Sequence, residues 1–380
     1  MARQSSDSKE SGSRLIAVLS FFWALIFIVI ALILFISRVP ERPVQPGDSL
    51  LIGKPFPLRG APAESFALVG STLVRIEEEG LAALDASGRE LDFTSFPYRR
   101  SQVRAMGEGL LVTPVDRAGY MAVFADLSSH ESDTREIIYG GDLREPLLLT
   151  FGTSIKGRLA ASLFDARTGG YCAVLTFSSL EWPVSLAFVP GADQFDVLML
   201  DLSQGKTATR YLRFDFEGKR LSDALISADD VFPLRVCLGG GEVLFYNEAE
   251  WVCFDPRTGM IQTGSLPGMP VQAAEGGGRF VLLAENEGSL RLYAASPDRL
   301  GDGQLFQALE AGEGISTFAL TPDGTLILAA AGSELMTCRM DTGQVVARRA
   351  AGGPVKRILA LSSQHFLVID EKEAVIVTVR

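Results

Sequence analysis

A strand that runs into an Asp-led turn closed by Gly, and then into another strand, recurs along this chain. Leu81 to Leu84 runs into Asp85 to Gly88, Leu163 and Phe164 into Asp165 to Gly169, and Leu212 to Phe214 into Asp215 to Gly218. The unit returns as Trp251 to Phe254 into Asp255 to Gly259, and as Leu335 to Met340 into Asp341 to Gly343. Weaker copies occur at Val123 to Asp126 and at Leu292 to Ala295. With 85, 126, 165, 215, 255, 295 and 341 as markers, the intervals are 41, 39, 50, 40, 40 and 46 residues. Each interval has room for four short strands and their turns, the unit of a β-propeller blade. The residue types have a physical reason: a tight turn needs a position that accepts positive φ, and Asp hydrogen-bonds its own backbone there.

The count follows from the C-terminus. Ala374 to Arg380 reads as the strand that should precede the next marker, so the last blade stops one strand short. An open edge would be prone to pair with other chains, so the missing outer strand is expected from Ser49 to Phe56, at the start of the domain. The expectation is all-β, with eight blades over 49–380; seven blades is the alternative if a weak copy is an insertion.

The segment before the domain has a different character. Leu15 to Ile36 carries no charged side chain, and a helix of that length rises far enough to cross a hydrocarbon core of about 30 Å. The run is too long for the apolar core of a secretory signal, and Ser37 to Pro40 lacks the small residues of a cleavage site. The predicted organisation is a disordered cytoplasmic tail over 1–14, a transmembrane helix over 15–37, a Pro-rich linker over 38–48 and an extracytoplasmic propeller over 49–380. Arg3, Lys9 and Arg14 before the span balance Arg38, Arg42 and Lys54 after it, so flanking charge does not set orientation. An N-terminus inside and a domain outside follow from the shortness of the tail.

The formal net charge of −11 belongs to the part after the span, because the tail carries a small positive excess. Nucleic-acid binding needs clustered Lys and Arg, and an acidic surface is repelled by anionic headgroups, so both are excluded as roles. Cys172, Cys237, Cys253 and Cys338 lie in apolar strand-like runs without C-x-x-C spacing and read as core thiols, with a Cys237–Cys253 disulfide as the alternative.

The span, the Pro-rich spacer and the degenerate blades, with strings such as Thr72 to Ile76 and Gly88 to Leu91, resemble an uncharacterised family of Gram-positive bacteria: single-pass, membrane-anchored β-propeller proteins. The D-x-x-T-G turns at Asp165 to Gly169 and Asp255 to Gly259 are similar to quinoprotein-type and WD40-like blades, shared by quinone-dependent dehydrogenases and outer-membrane assembly scaffolds. The enzymes carry a docking tryptophan in each blade, whereas this chain has only Trp23, Trp182 and Trp251.

Chemistry-bearing residues are sparse. His130 lies in a polar stretch read as a loop and His365 precedes a strand; neither has a partner for a metal site or a triad. Asp126, His130, Glu131 and Asp133 lack the spacing of a calcium loop and read as a solvated hairpin tip. Glu77 to Glu79 reads as a polar turn. Gly239 to Gly241 and Gly276 to Gly278 are followed by strands rather than helices, so they are hairpin turns and not phosphate cradles. Trp182 with Pro183, and Tyr98 to Arg100, are the exposed-looking aromatic and basic features.

No catalytic, cofactor-binding or metal-binding residue is assigned and no cofactor is called for. The function expected is non-catalytic protein binding or scaffolding in the cell envelope, through a propeller face that receives a protein or peptide. A quinoprotein-like or hydrolytic enzyme, whose channel would need a funnel of Arg, Asp and Glu, is one alternative; a ligand-binding sensor ectodomain is the other.

Overall fold

The computed structural model describes residues 49–380 apart from Asp116, Arg135, Ile155 and 297–303. The predicted tail, transmembrane helix and linker, residues 1–48, lie outside the described residues. No helix among the described residues is long and apolar enough to cross a membrane.

Eight antiparallel sheets make up the domain, seven of them continuous in sequence, at residues 66–95, 101–132, 136–176, 181–227, 234–265, 269–308 and 317–350. These are blades 1 to 7. In each, four strands follow one another across the sheet, and the first strands of successive blades touch, as in blades 3 and 4 or 7 and 8. The first strand of each blade therefore lines the axis and the fourth faces outward, which is an eight-bladed β-propeller.

Blade 8 closes the ring from both ends of the domain. Its strands Arg357–Ala360, His365–Ile369 and Glu373–Val379 are completed by Leu50–Ile52, with Leu50 opposite Val379 and Ile52 opposite Val377. Phe56–Pro57 extends the same edge, Phe56 opposite Ala374. The eight-blade count and the shared last blade are as expected from the sequence, and the seven-blade alternative falls.

Every Asp-led marker lies in the turn between the third and fourth strands of its blade. Asp85 Oδ1 accepts the backbone N–H groups of Ser87 at 2.8 Å and Arg89 at 3.0 Å. The Ser87 hydroxyl also donates to it, and these bonds hold its carboxyl down to about 2. Asp255 takes the N–H of Arg257 at 2.9 Å and is held at about 2 in the same way. The glycine requirement is clearest at Gly88, where φ is +72° and an added Cβ would lie 2.1 Å from the ring of Phe56.

Strand composition follows from position. Middle strands are covered on both faces by neighbouring blades, so Val243–Tyr246 and Gly109–Pro114 are buried at every residue. Fourth strands face solvent, and Glu90–Ser95 is exposed almost throughout. Apolar clusters fill the spaces between blades; the one at the closure contains Phe56, Phe66, Leu73, Leu84, Leu367 and Ile369. Polar bonds add to the stitching. Arg357 Nη1 in blade 8 donates to the carbonyls of Ala63 and Phe66 at 3.0 and 2.9 Å. The Gln272 amide in blade 6 donates to Phe318 O at 2.8 Å in blade 7.

Four sequence readings change. Cys172 is exposed on the outer strand of blade 3, since alternate positions of a fourth strand point to water; Cys253 and Cys338 are buried, Cys237 is half-buried, and all four thiols are free. His130 lies on the outer strand Ser129–Ser132 of blade 2 and not in a loop. Tyr98 is buried, with the Arg117 guanidinium 4.8 Å above its ring, while Arg99 and Arg100 are exposed. Trp182 is exposed as expected, but Pro183 is buried.

Candidate functional site: the central channel

The eight inner strands are not equivalent. Those of blades 3, 4 and 6 are Glu136–Arg144, Glu181–Phe188 and Met269–Gly276, of 9, 8 and 8 residues. Inner strands elsewhere have 4 to 6 residues. Each long strand carries a break in register with the second strand of its blade: between Ile138 and Gly140, between Pro183 and Ser185, and between Pro270 and Gln272. The inner strands of blades 1, 2, 5, 7 and 8 pair without a shift. A bulge adds one residue to one strand, breaks its alternation and re-aims a side chain, and bulges concentrate beside functional sites.

Large apolar side chains stand open on this arc. Tyr139, Trp182, Leu234, Met269 and Val271, all on the inner strands of blades 3 to 6, expose between 45% and 59% of their surface. Tyr139 and Val271 are the extra residues of two of the bulges. No large hydrophobic residue of the other four inner strands is exposed. An apolar surface on one side of a channel is the feature expected of a docking site and is costly for a scaffold that keeps it uncovered.

Toward the other ends of the same strands the channel opens into a cavity of about 920 Å3, at the mouth formed by the turns between first and second strands. The inner strand of blade 5, Leu234–Cys237, lines it with Arg235 and Cys237. The chain leaves it through Gly239 to Gly241, where Gly239 N–H donates to Gly278 O at 2.7 Å in blade 6. Both glycine triplets therefore join first to second strands at equivalent points, which is the hairpin reading.

Charged side chains cluster at this mouth. Asp196, with no exposed surface, lies on the second strand of blade 4. Its Oδ1 accepts Arg213 Nε at 2.7 Å and its Oδ2 accepts Arg213 Nη2 at 3.2 Å and Arg235 Nη1 at 2.6 Å. A charge-paired, hydrogen-bonded carboxylate tolerates such burial, and here it ties blade 4 to the short strand of blade 5. Arg213 and Arg235 line the cavity with Asp142, Cys237 and Glu275. Asp142 accepts the N–H groups of Phe188 and Leu143, each at 2.9 Å. Glu275 accepts no hydrogen bond from any described residue and has no described Lys or Arg within ion-pair distance. Burial pushes the Glu275 carboxyl above the usual range, Arg235 pulls it down and Asp142 pushes it up.

The cluster has the composition of the Arg, Asp and Glu funnel expected of the enzyme alternative. Both guanidiniums are engaged by Asp196. Burial pushes the Cys237 thiol up, away from the nucleophilic thiolate. His130 lies on an outer strand, and His365, in blade 8, bonds through Nδ1 to the Ser362 hydroxyl at 2.9 Å. No three His, Cys, Asp or Glu among the described residues group to hold a metal ion. In the candidate calcium tip, Asp126 instead accepts Ser128 N–H at 2.9 Å and lies 3.7 Å from Arg167. Glu77 to Glu79 form a turn of blade 1 in which Glu77 accepts Arg75 at 2.5 Å.

Of the features singled out in the sequence, Trp182 lies on the apolar arc, and Cys237 with the two glycine triplets lines the mouth. Asp142, Asp196, Arg213, Arg235 and Glu275 were not singled out. Two signals mark part of the set: charges embedded in apolar strand runs, as in Phe195 to Val197 and Leu234 to Val236, and the long interval of 50 residues between the markers at 165 and 215.

No family model and no curated protein matches the chain. Solved structures match its fold. The crystal structure of BamB from Moraxella catarrhalis is similar over 87% of this chain and 99% of that chain, with 9% sequence identity and a TM-score of 0.54. The crystal structure of the computationally designed Ika8 protein is similar over 88% of this chain and 99% of that chain, with 12% identity and a TM-score of 0.53. At these identities the likeness is one of fold.

Proposed function

We propose that this chain is a non-catalytic, membrane-anchored β-propeller that binds a segment of another envelope protein in its central channel. The observation that carries this reading is the apolar arc on the lengthened, bulged inner strands of blades 3 to 6. An eightfold repeat needs none of these departures to close, and they gather on one side of the axis. The anchor rests on the uncharged run from Leu15 to Ile36, with the propeller outside the cytoplasm. The fold-level likeness to BamB is consistent with a propeller working in the envelope and adds no residue-level support.

The test has two arms. A reporter active only outside the cytoplasm, fused to the C-terminus, should be active; an inactive fusion removes the proposed topology. A photo-crosslinking amino acid at position 182 should capture one defined partner in intact cells, while the same probe at position 221, on an outer strand, should not. Equal capture at both positions, or none at 182, removes the channel as the binding surface.

A further inference from the structure

The channel of blades 3 to 6 is apolar at one end, and at the other it holds a carboxylate, Glu275, with no hydrogen-bond or ion-pair partner among the described residues. Glu275 is four residues beyond Val271 on the inner strand of blade 6, so the two lie about 13 Å apart along the channel at the rise of an extended strand. Asp142 is three residues beyond Tyr139 on the inner strand of blade 3. The two guanidiniums at this mouth are held by Asp196; Arg235 acts on Glu275 from a distance, and no described side chain hydrogen-bonds or ion-pairs with it. The Asp-led turns lie at this end of the blades as well, but Asp85, Asp126, Asp255 and Asp341 are each paired there with an arginine, so the open negative charge at the mouth is that of Glu275.

We infer that the partner segment lies extended along the inner strands of blades 3 to 6, with an apolar side chain against Tyr139, Trp182 and Val271 and a lysine or arginine, four residues away, whose cationic end meets Glu275. This rests on the channel being the docking site and adds the chemistry of what docks. An extended segment matches the strand rise that separates the two ends. A cation completes a carboxylate that the fold leaves open, and Asp142 adds a second negative charge beside it. A partner carboxylate would instead face Glu275 and Asp142 and find both arginines engaged, so charge selects the basic residue.

The test uses the full chain in detergent micelles and fluorescein-labelled hexapeptides. The peptides carry Phe, Leu or Trp at the first position and Lys, Gln or Glu at the fifth; binding is read by anisotropy. Lys peptides should bind at least about tenfold more tightly than their Gln counterparts, the scale of one charge-assisted hydrogen bond. Glu275→Gln should bring that ratio close to one without changing the affinity of the Gln peptides. Val271→Ser should weaken Lys and Gln peptides alike. Circular dichroism and melting curves confirm that both variants are folded; each changes a side chain that faces the open channel. Equal binding of Lys and Gln peptides overturns the inference and leaves channel docking standing. Preference for Glu peptides overturns it in favour of the arginines. A panel with no binder overturns it outright, while the crosslink at position 182 judges channel docking separately.

Discussion

Replacing Phe56 by alanine tests how the ring is held shut. Phe56 is almost fully buried and belongs to the cluster that joins the N-terminal edge to blade 1 and blade 8. Its ring covers Gly88, whose missing side chain leaves the space the ring fills. Truncating a buried Phe to Ala costs about 3–5 kcal/mol, from lost transfer energy and the cavity left behind. The loss falls on the one blade whose outer strand is not supplied by the next turn of the chain. Leu50–Ile52 pairs with only three residues of its neighbour, so the edge depends on the packing of Phe56. Opening the seam uncovers the edge of Glu373–Val379 and the apolar faces beside it. Trp251, buried in blade 5, reports unfolding far from the seam, and urea titration of the full chain in micelles, followed by tryptophan fluorescence in a Trp23→Phe, Trp182→Phe background, measures whether the ring fails as a unit. The control is Phe93→Ala on the exposed outer strand of blade 1, expected within about 0.5 kcal/mol of wild type. If Phe56→Ala and Phe93→Ala shift the Trp251 transition equally, the seam does not hold the ring and the reasoning fails.

Two further outcomes follow from buried charge. Asp196→Asn leaves two buried guanidiniums without their anion and should lower stability by about 3–5 kcal/mol in the same titration; a loss below about 1 kcal/mol would show that water already reaches the pair. Glu136 is buried on the inner strand of blade 3, where one hydroxyl, Ser162 Oγ, faces both its oxygens at 3.0 and 3.1 Å, and burial pushes its carboxyl above the usual range. A carboxyl with a raised folded pKa stabilises the fold while protonated, and that contribution is lost as pH rises from the ordinary carboxylate range through the raised value. Glu136→Gln removes the proton exchange, so its stability relative to wild type should grow over that window, and parallel stability–pH curves would contradict this account.

The ring was legible in the sequence because its signals are local and repeated. Asp85 to Gly88 and Asp255 to Gly259 announce themselves wherever a third strand must turn into a fourth, and the spacing between such turns counts blades without any knowledge of packing. The missing strand at the C-terminus could be assigned to Ser49 to Phe56 because a sheet edge has to be covered. The channel was not legible in that way. Tyr139, Val271 and Leu234 are apolar residues in apolar strands, and which of them faces the axis depends on a bulge that only the pairing partner reveals. Arg235 and Asp196 are separated by 38 other residues and meet because blades 4 and 5 are adjacent. Cys172 was misread for the same reason, since a strand-like run does not say which of the four strands it is; Tyr98 lies in the connection between blades 1 and 2, as a loop residue should, and was misread because its packing against Val112 and Met121 is a long-range contact.

That division has a physical origin which also bears on what the channel does. Closing eight blades requires equivalent units, and the repeated turns serve that requirement, so they are alike from blade to blade. Recognition requires one side of the axis to differ from the other, so it has to be written as departures from the repeat. In this chain the departures coincide: the long inner strands, their register breaks and the open apolar side chains all fall within blades 3 to 6. Blade 5 lies within this arc. Leu234 on its inner strand is open, and Arg235 from that strand is fastened to Asp196 of blade 4, which ties the two blades together at the mouth. Without the buried pair, the gap beside the Gly239 to Gly241 turn would be free to collapse, and the distance between Val271 and Glu275 would no longer face an open channel. The Asp196 network is therefore a positioning device for the docking surface, and Asp196→Asn, which frees Arg213 and Arg235 beside Glu275, should lower the preference for lysine over glutamine peptides under conditions where the protein remains folded; an unchanged preference would refute this role.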